Sequence, residues 1–347
     1  ANINVNIYLS PHIQKINERF IFNDQPLNDD QLLDLFTEVE EINNGSTITF
    51  FEILTVCYFY FASKFPNNIN LIEAGLFHRF DATNVLIKNL ASVITILGND
   101  HLDWLPEKEQ NIERIIFEKT SSLLESKIII ARQNSEEINS CIKKTILKNK
   151  SKKIFFNDDY NFRINENNFF YYEDQIGTLE LPKPNLLGLF QLENISTAIA
   201  TSRQLTDYKI TNEHIKNGIT KIQSIARLQE IKSGKLKKLV KNNQLIVDGS
   251  HNPLGAKALN QYLQSIKSNK HIILGMMSNK DHDKYMSYFE DIKSLTTIDI
   301  PNQPNSIKGS ELKNKIKNFK NIKCETSIEN AIKSIILEEN DIILITG

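Results

Sequence analysis

The chain has 347 residues, 40% of them hydrophobic and 24% charged, and a formal net charge of −1. That length fits two domains better than one core, and the near-neutral balance supplies no footprint for nucleic acid or for a membrane surface. Three scattered cysteines, Cys57, Cys141 and Cys324, form no CxxC pair; they exclude a zinc cage of their own and suit a reducing compartment, with the cytoplasm as the default.

In chain order, short runs rich in Ile, Val and Leu alternate with longer helical patterns. Strands are expected at 4–9, 69–73, 92–97 and 127–131, and later at 245–247, 271–274, 297–300 and 341–346. Helices are expected at 29–41, 49–63, 106–118, 192–205, 254–268 and 327–337. The apolar stretch Phe50–Ala62 carries Glu52 and is too short for a bilayer, so it reads as an amphipathic core helix; no signal peptide is read. Strand and helix in turn predict βαβ units, hence an α/β fold with mostly parallel sheets. The segment 152–181 lacks a helical period and reads as inserted antiparallel strands. Its acids Asp158, Asp159 and Glu166 have the wrong spacing for a calcium loop. Alternation restarts near 221–227, which predicts domains over 1–224 and 225–347. The lysine-rich run 232–241 reads as a solvated hairpin.

Three strand ends carry chemistry. The first ends in Ser10, the run INLIEAG in Glu73, and SVITILGNDHLDW in Asp100, His101 and Asp103. Carboxyl ends of parallel strands share an edge, where a hydroxyl, a carboxylate and an imidazole could hold a magnesium ion bridging phosphates. Lys119, at the end of a helical pattern, reads from spacing alone as a surface charge that compensates the helix dipole. In the second domain, LIVDGSHNPLGAKAL places Asp248 and His251 after a buried strand, with Asn252 and Pro253 opening a helix. That is either a ligand site or a well-capped turn.

Taken together, these residues resemble the folylpolyglutamate synthase and dihydrofolate synthase family, within the Mur ligases. The ordered marks are YLSPHIQKINERF (8–20), ITFFEILT (48–55), EAGLFHRFDATNV (73–85), DHLDWL (100–105), EK (118–119), LPKPNLLGLFQLEN (181–194), ARLQ (226–229), DGSHNP (248–253) and DIILITG (341–347). The resemblance implies a P-loop-NTPase-like domain followed by a Rossmann-like domain. It also implies ATP-dependent addition of L-glutamate to a folate or dihydropteroate carboxylate through an acyl phosphate. It gives Ser10, Glu73 and His101 to Mg2+, and makes Lys119 a carbamylated further ligand, against the reading from spacing. Asn194, Arg227, Asp248 and His251 fall at nucleotide-binding positions, His251 and Lys119 being counted with the catalytic machinery. Phe50, Phe51 and Glu52 fall at the folate pocket. A non-catalytic remnant that binds folate or nucleotide, and a ligase of cell-wall precursors, are the alternatives.

Departures accompany the likeness. In the family a strand, a Gly-rich loop ending Gly-Lys-Ser and a helix precede the Ser-Pro-His strand, and that loop cradles the phosphates. The present sequence opens on the Ser-Pro-His strand, and Lys232–Lys235 is followed by Leu236, so it offers no substitute. The family's Gly-Gly is Phe77-His78, its Ala-Gly-Ile is Thr120-Ser121-Ser122, the glycine before the linker arginine is Ala226, and a common histidine is Phe190. These features predict a chain inactive by itself, with an exposed apolar sheet edge; intact, the protein would be a monomer.

Overall fold

The computed structural model describes residues 3–165 and 169–347; Glu166, one of the rejected calcium-loop acids, lies outside them. The fold is α/β and divides into two compact units, residues 1–183 with 194–218, and residues 184–193 with 219–347.

The first unit opens with β1 (Val5–Tyr8), β2 (Phe20–Phe22) and β3 (Gln25–Pro26), followed by α1 (Asp29–Asn43), α2 (Phe50–Ala62) and β4 (Ile69–Ile72). These strands form one sheet in the order β3-β2-β1-β4, with β1 antiparallel to β2 and parallel to β4. Both helices start where the sequence supplies a capping box. Asn28 accepts from the Gln31 amide, and Thr49 from the Glu52 amide, each with a reciprocal side-chain contact. The apolar faces of α1 and α2 close on Tyr8, Phe20 and Phe22, and Leu54, Cys57 and Tyr58 are fully buried. Each such side chain stabilises the fold by about 1.5–3 kcal/mol.

β5 (Ser92–Ile94), α3 (Ile112–Thr120), β6 (Lys127–Ile130), α4 (Glu136–Thr145) and β7 (Lys152–Phe155) come next. β5, β6 and β7 form a separate parallel sheet in that order. The inserted strands are β8 (Tyr160–Ile164), β9 (Phe170–Asp174) and β10 (Gly177–Leu181), an antiparallel meander as expected. Lys152–Phe155, expected in that insertion, instead pairs parallel with β6. α5 (Leu189–Gln204) and α6 (Asn212–Ile219) complete the region. Arg203 of α5 forks onto Asp174 of β9 at 2.7 and 3.0 Å, both side chains buried.

The second unit carries β11 (Gln229–Glu230), α7 (Lys235–Val240), β12 (Gln244–Asp248), α8 (Pro253–Gln264), β13 (Lys270–Leu274), α9 (His282–Met286), β14 (Ile292–Ile298), α10 (Gly309–Lys315), β15 (Lys323–Glu325), α11 (Ile328–Ser334) and β16 (Ile342–Thr346). Its sheet has the order β11-β12-β16-β13-β14-β15, parallel except where β11 joins β12. β13 is buried along its whole length and apolar cores lie on both faces, hence its unbroken Ile-Ile-Leu run. The lysine-rich run is not a hairpin. Gly234 starts the short helix α7, and the Lys237 ammonium bonds the Asn243 carbonyl, so the apolar residues follow a helical period against the sheet.

Candidate functional site

In the first unit the site is built on the β1–β4 pair. Their register sets Tyr8 beside Ile72, and the Glu73 amide donates to the Tyr8 carbonyl at 2.9 Å. Parallel pairing therefore delivers Ser10 and Glu73 to one place, and the Ser10 amide donates to Glu73 Oε2 at 2.8 Å. The turn beyond Ser10 is organised by Glu18, whose carboxylate accepts the amides of Ile13, Gln14 and Lys15 at 2.7–3.0 Å. Those bonds hold its carboxyl below the usual range.

The chain after Glu73 winds around Asp81. Oδ2 accepts the amides of Gly75 and Leu76 at 3.0 and 3.3 Å, and Oδ1 accepts the Thr83 amide and hydroxyl at 3.0 and 2.6 Å. A Cβ on Gly75 would stand 2.7 Å from the Phe51 ring and 2.8 Å from Asp81 Oδ2, so any side chain there would have to displace one of them. The turn aims the Leu76 carbonyl at α3, where Lys119 Nζ donates to it at 2.7 Å. Lys119 also lies 5.5 Å from the centre of the Phe77 ring.

The surface-charge reading of Lys119 is thereby corrected: the side chain turns inward, and burial pulls its ammonium below the ordinary lysine range against the opposing charges of Asp100 and Asp81. Burial likewise lowers His78, with Asp81 opposing that and Lys119 adding to it. Asp100 links the β5 segment to this cluster. His101, in the left-handed region at φ 57°, has Nε2 3.7 Å from Asp100 Oδ2. Ser10 and Glu73 are thus brought together directly, while His101 arrives from a different sheet, beside the acid that acts on Lys119.

The three α2 positions divide. Phe51 packs into the first unit's core, Phe50 is 62% exposed, and Glu52 is engaged by the amide and hydroxyl of Thr49 at 2.8 and 2.6 Å. Those bonds lower its carboxyl and make it a capping residue first. Asn194 is exposed on α5. Among the described residues no group of three or more His, Cys, Asp or Glu side chains stands at metal-holding spacing. A hydroxyl and a carboxylate on one edge nevertheless suit Mg2+, which keeps most of its water and takes only one or two protein oxygens beside phosphates.

In the second unit the candidate residues Asp248 and His251 stand at and just after the end of β12, and Arg227 stands just before β11. Asp248, 3% exposed, accepts the Leu228 amide at 2.7 Å and the Ser250 amide at 2.8 Å. Burial raises its carboxyl pKa, opposed by those two bonds and by the Arg227 charge. Arg227 Nη1 stands 3.6 Å from where a Gly249 Cβ would be, and the Gly249 amide donates to the Ala226 carbonyl at 2.8 Å. His251 Nδ1 lies 3.1 Å from the Gly249 carbonyl, so Nε2 is the nitrogen a ligand would meet. Asn252 caps α8 through the Gly255 amide at 2.9 Å, with Pro253 in the first turn. The turn is well capped, and it brings Arg227, Asp248 and His251 near one another. Asp81 is not among the site residues read from the sequence, although the D-A-T-N pattern around it is a turn signal in its own right, and Asp100 is read there only as a strand-end acid.

Residues 227–347 match the family model described as Mur ligase, glutamate ligase domain. Over those residues the chain is similar to the glutamate ligase domain of Mur ligases. Its curated relatives include the dihydrofolate synthase/folylpolyglutamate synthase of Haemophilus influenzae, 27% identical over 99% of this chain and 80% of that protein. Another is the enzyme of the same name from Escherichia coli, 26% identical over 81% of this chain and 63% of that one. The chain thus spans less than two thirds of some of these relatives. Among solved structures, the Yersinia pestis bifunctional folylpolyglutamate synthase/dihydrofolate synthase complexed with AMPPNP and Mn ion superposes with a TM-score of 0.85 at 21% identity, covering 100% of this chain and 80% of that one. E. coli FolC in complex with DHPP and ADP gives the same score at 23% identity and the same coverage. These structural likenesses establish the α/β fold of the chain. No helix among its described residues is long and apolar enough to cross a membrane.

Proposed function

We propose that the protein is an ATP-dependent ligase that joins the amine of L-glutamate to a carboxylate of dihydropteroate or a folate. In this reading a carboxylate oxygen attacks the γ-phosphorus of ATP and ADP leaves. The glutamate amine then attacks the carbonyl carbon of the acyl phosphate, loses a proton, and expels phosphate. Such chemistry gathers several anions, so positioning and electrostatic stabilisation carry it.

Within the first unit, the Ser10 hydroxyl and the Glu73 carboxylate would hold Mg2+, with His101 at the adjoining edge. The ion, when bound, neutralises charge on the phosphates. Lys119 is half-buried with its proton affinity lowered by burial, and a neutral amine is the form that can add carbon dioxide, forming an N–C bond and releasing a proton. Phe50 and Phe51 offer aromatic faces for a pterin. In the second unit, Arg227 and His251 would contact the nucleotide, and Asp248 would fix the turn that presents them; Asn194, on the part of α5 that lies in the first unit, is a separate nucleotide-binding candidate. The observation that supports the reading most is the placement of Ser10, Glu73 and the Leu76–Lys119 contact around one turn, alongside likeness to enzymes of this name.

The test is ADP release by the purified protein with MgATP, L-glutamate and dihydropteroate. Release should require both acids, and Glu73→Gln should lower kcat by about 100-fold or more. Nucleotide binding without turnover would favour the non-catalytic alternative, and release indifferent to glutamate or to Glu73→Gln would overturn the proposal.

A further inference from the structure

Next to Lys119 in sequence is Glu118, whose side chain is 7% exposed and carries two arginines. Arg114, one turn earlier on α3, meets Oε1 at 2.6 Å and ties the same guanidinium to Glu109 at 2.8 Å. Arg79, from the turn after β4, holds its Nε 3.2 Å from Oε2 as an ion pair without hydrogen-bond geometry. The Glu118 backbone joins in, its carbonyl accepting the amides of His78 and Arg79 at 3.2 and 2.9 Å. Aromatic faces complete the lock: Arg79 lies 4.2 Å from the centre of Phe80 and 5.1 Å from that of Phe117, and Arg114 lies 5.5 Å from Phe117. Two cations on one buried carboxylate are far more than a helix end needs. They fasten the turn that begins at Glu73 to the helix that carries Lys119.

We propose that Arg79, Glu118 and Arg114 form a positioning clamp for the ligase site, setting the Leu76 carbonyl and Lys119 at their contact distance and so fixing Lys119 relative to Glu73. The inference rests on the ligase reading for its consequence in turnover, while its geometric content stands apart from it. None of the three touches the reacting atoms. They act through the backbone of 76–79 and through the last turn of α3. The planar guanidinium of Arg79 matters, because a lysine ammonium keeps the charge but not the stacking on Phe80.

The experiment compares Arg79→Gln, Arg79→Lys and, should Arg79→Gln fold poorly, Arg114→Lys. The control is Arg163→Gln, which breaks the exposed Arg163–Glu173 pair on the inserted sheet. The first readout does not depend on activity: competitive acetylation of the full set of lysines at fixed pH, with the Lys119 peptide quantified by mass spectrometry. Loosening the clamp should raise Lys119 labelling about threefold or more relative to exposed lysines, with Arg79→Lys intermediate and the control unchanged. The second is steady-state kinetics, where kcat should fall about 10–100-fold with KM for glutamate nearly constant. Unchanged Lys119 labelling in Arg79→Gln and Arg114→Lys, or a change equalled by Arg163→Gln, overturns the clamp. A protein without turnover but with the labelling response would sink the ligase reading and leave the clamp standing.

Discussion

Asp248→Ala separates the two things this residue can do. The carboxylate holds two amides, the buried one of Leu228 at 2.7 Å and the partly buried one of Ser250 at 2.8 Å, and no alanine atom can replace it. Each amide left without a partner costs about 1–3 kcal/mol. The variant is relieved of a buried charge, which offsets part of this, so a loss of about 2–4 kcal/mol is expected. With a urea m-value of about 2 kcal/mol/M, the midpoint should drop by about 1–2 M. Hydrogen exchange followed by mass spectrometry should speed up at 228 and 250 while β13, at the centre of the sheet, stays protected. The sign with pH is also fixed. Burial raises the folded pKa of Asp248, so the folded chain holds a proton that the unfolded chain has released. The stability this adds is present at low pH and is lost as pH rises from about 3.9 through the folded value. The gap between parent and variant should therefore narrow across that window. A loss below about 0.5 kcal/mol with unchanged exchange at 228 would refute the reasoning.

Two more outcomes are expected. Ala226 sits at φ 51° in the left-handed region, so Ala226→Gly should stabilise the second unit by about 0.5–1 kcal/mol after the larger entropy of the unfolded glycine is counted; a lower melting temperature would contradict this. His271 is 2% exposed, with Nε2 3.1 Å from Asp341 and Nδ1 2.7 Å from the Ser294 hydroxyl, and burial lowers its pKa against the Asp341 bond. As pH falls below about 6.5 the unfolded chain takes a proton that the folded chain resists, so stability should fall by up to about 1.4 kcal/mol per pH unit. His271→Asn should flatten that slope in urea titrations between pH 6.5 and 5, and an unchanged slope would assign it elsewhere.

What was legible in the sequence had a local cause. Phe50–Ala62 is a helix with the expected core because its capping box and apolar run are contiguous. β13 and β16 follow from unbroken apolar runs in the same way. β14 begins at Ile292, five residues before its expected start at 297, because Lys293 and Ser294 hide its exposed end. The 106–118 helix is broken, its regular part starting at Ile112 after the Asn111 cap. The hairpin of β2 and β3 was missed since its strands are three and two residues long. Lys119 could not be read from spacing, because its acceptor, Leu76, lies 43 residues away in sequence. The same holds for Glu118, whose partner Arg79 comes from another loop.

The ends of β13 and β16 also constrain descent. A Cβ on Gly347 would fall 2.0 Å from the Gly275 carbonyl oxygen, at a φ of 115°. No side-chain rotamer relieves an overlap with main chain, so a side chain at 347 requires the backbone there or at Gly275 to shift. A side chain at this one position is thereby opposed by the backbone itself, independently of any demand from catalysis.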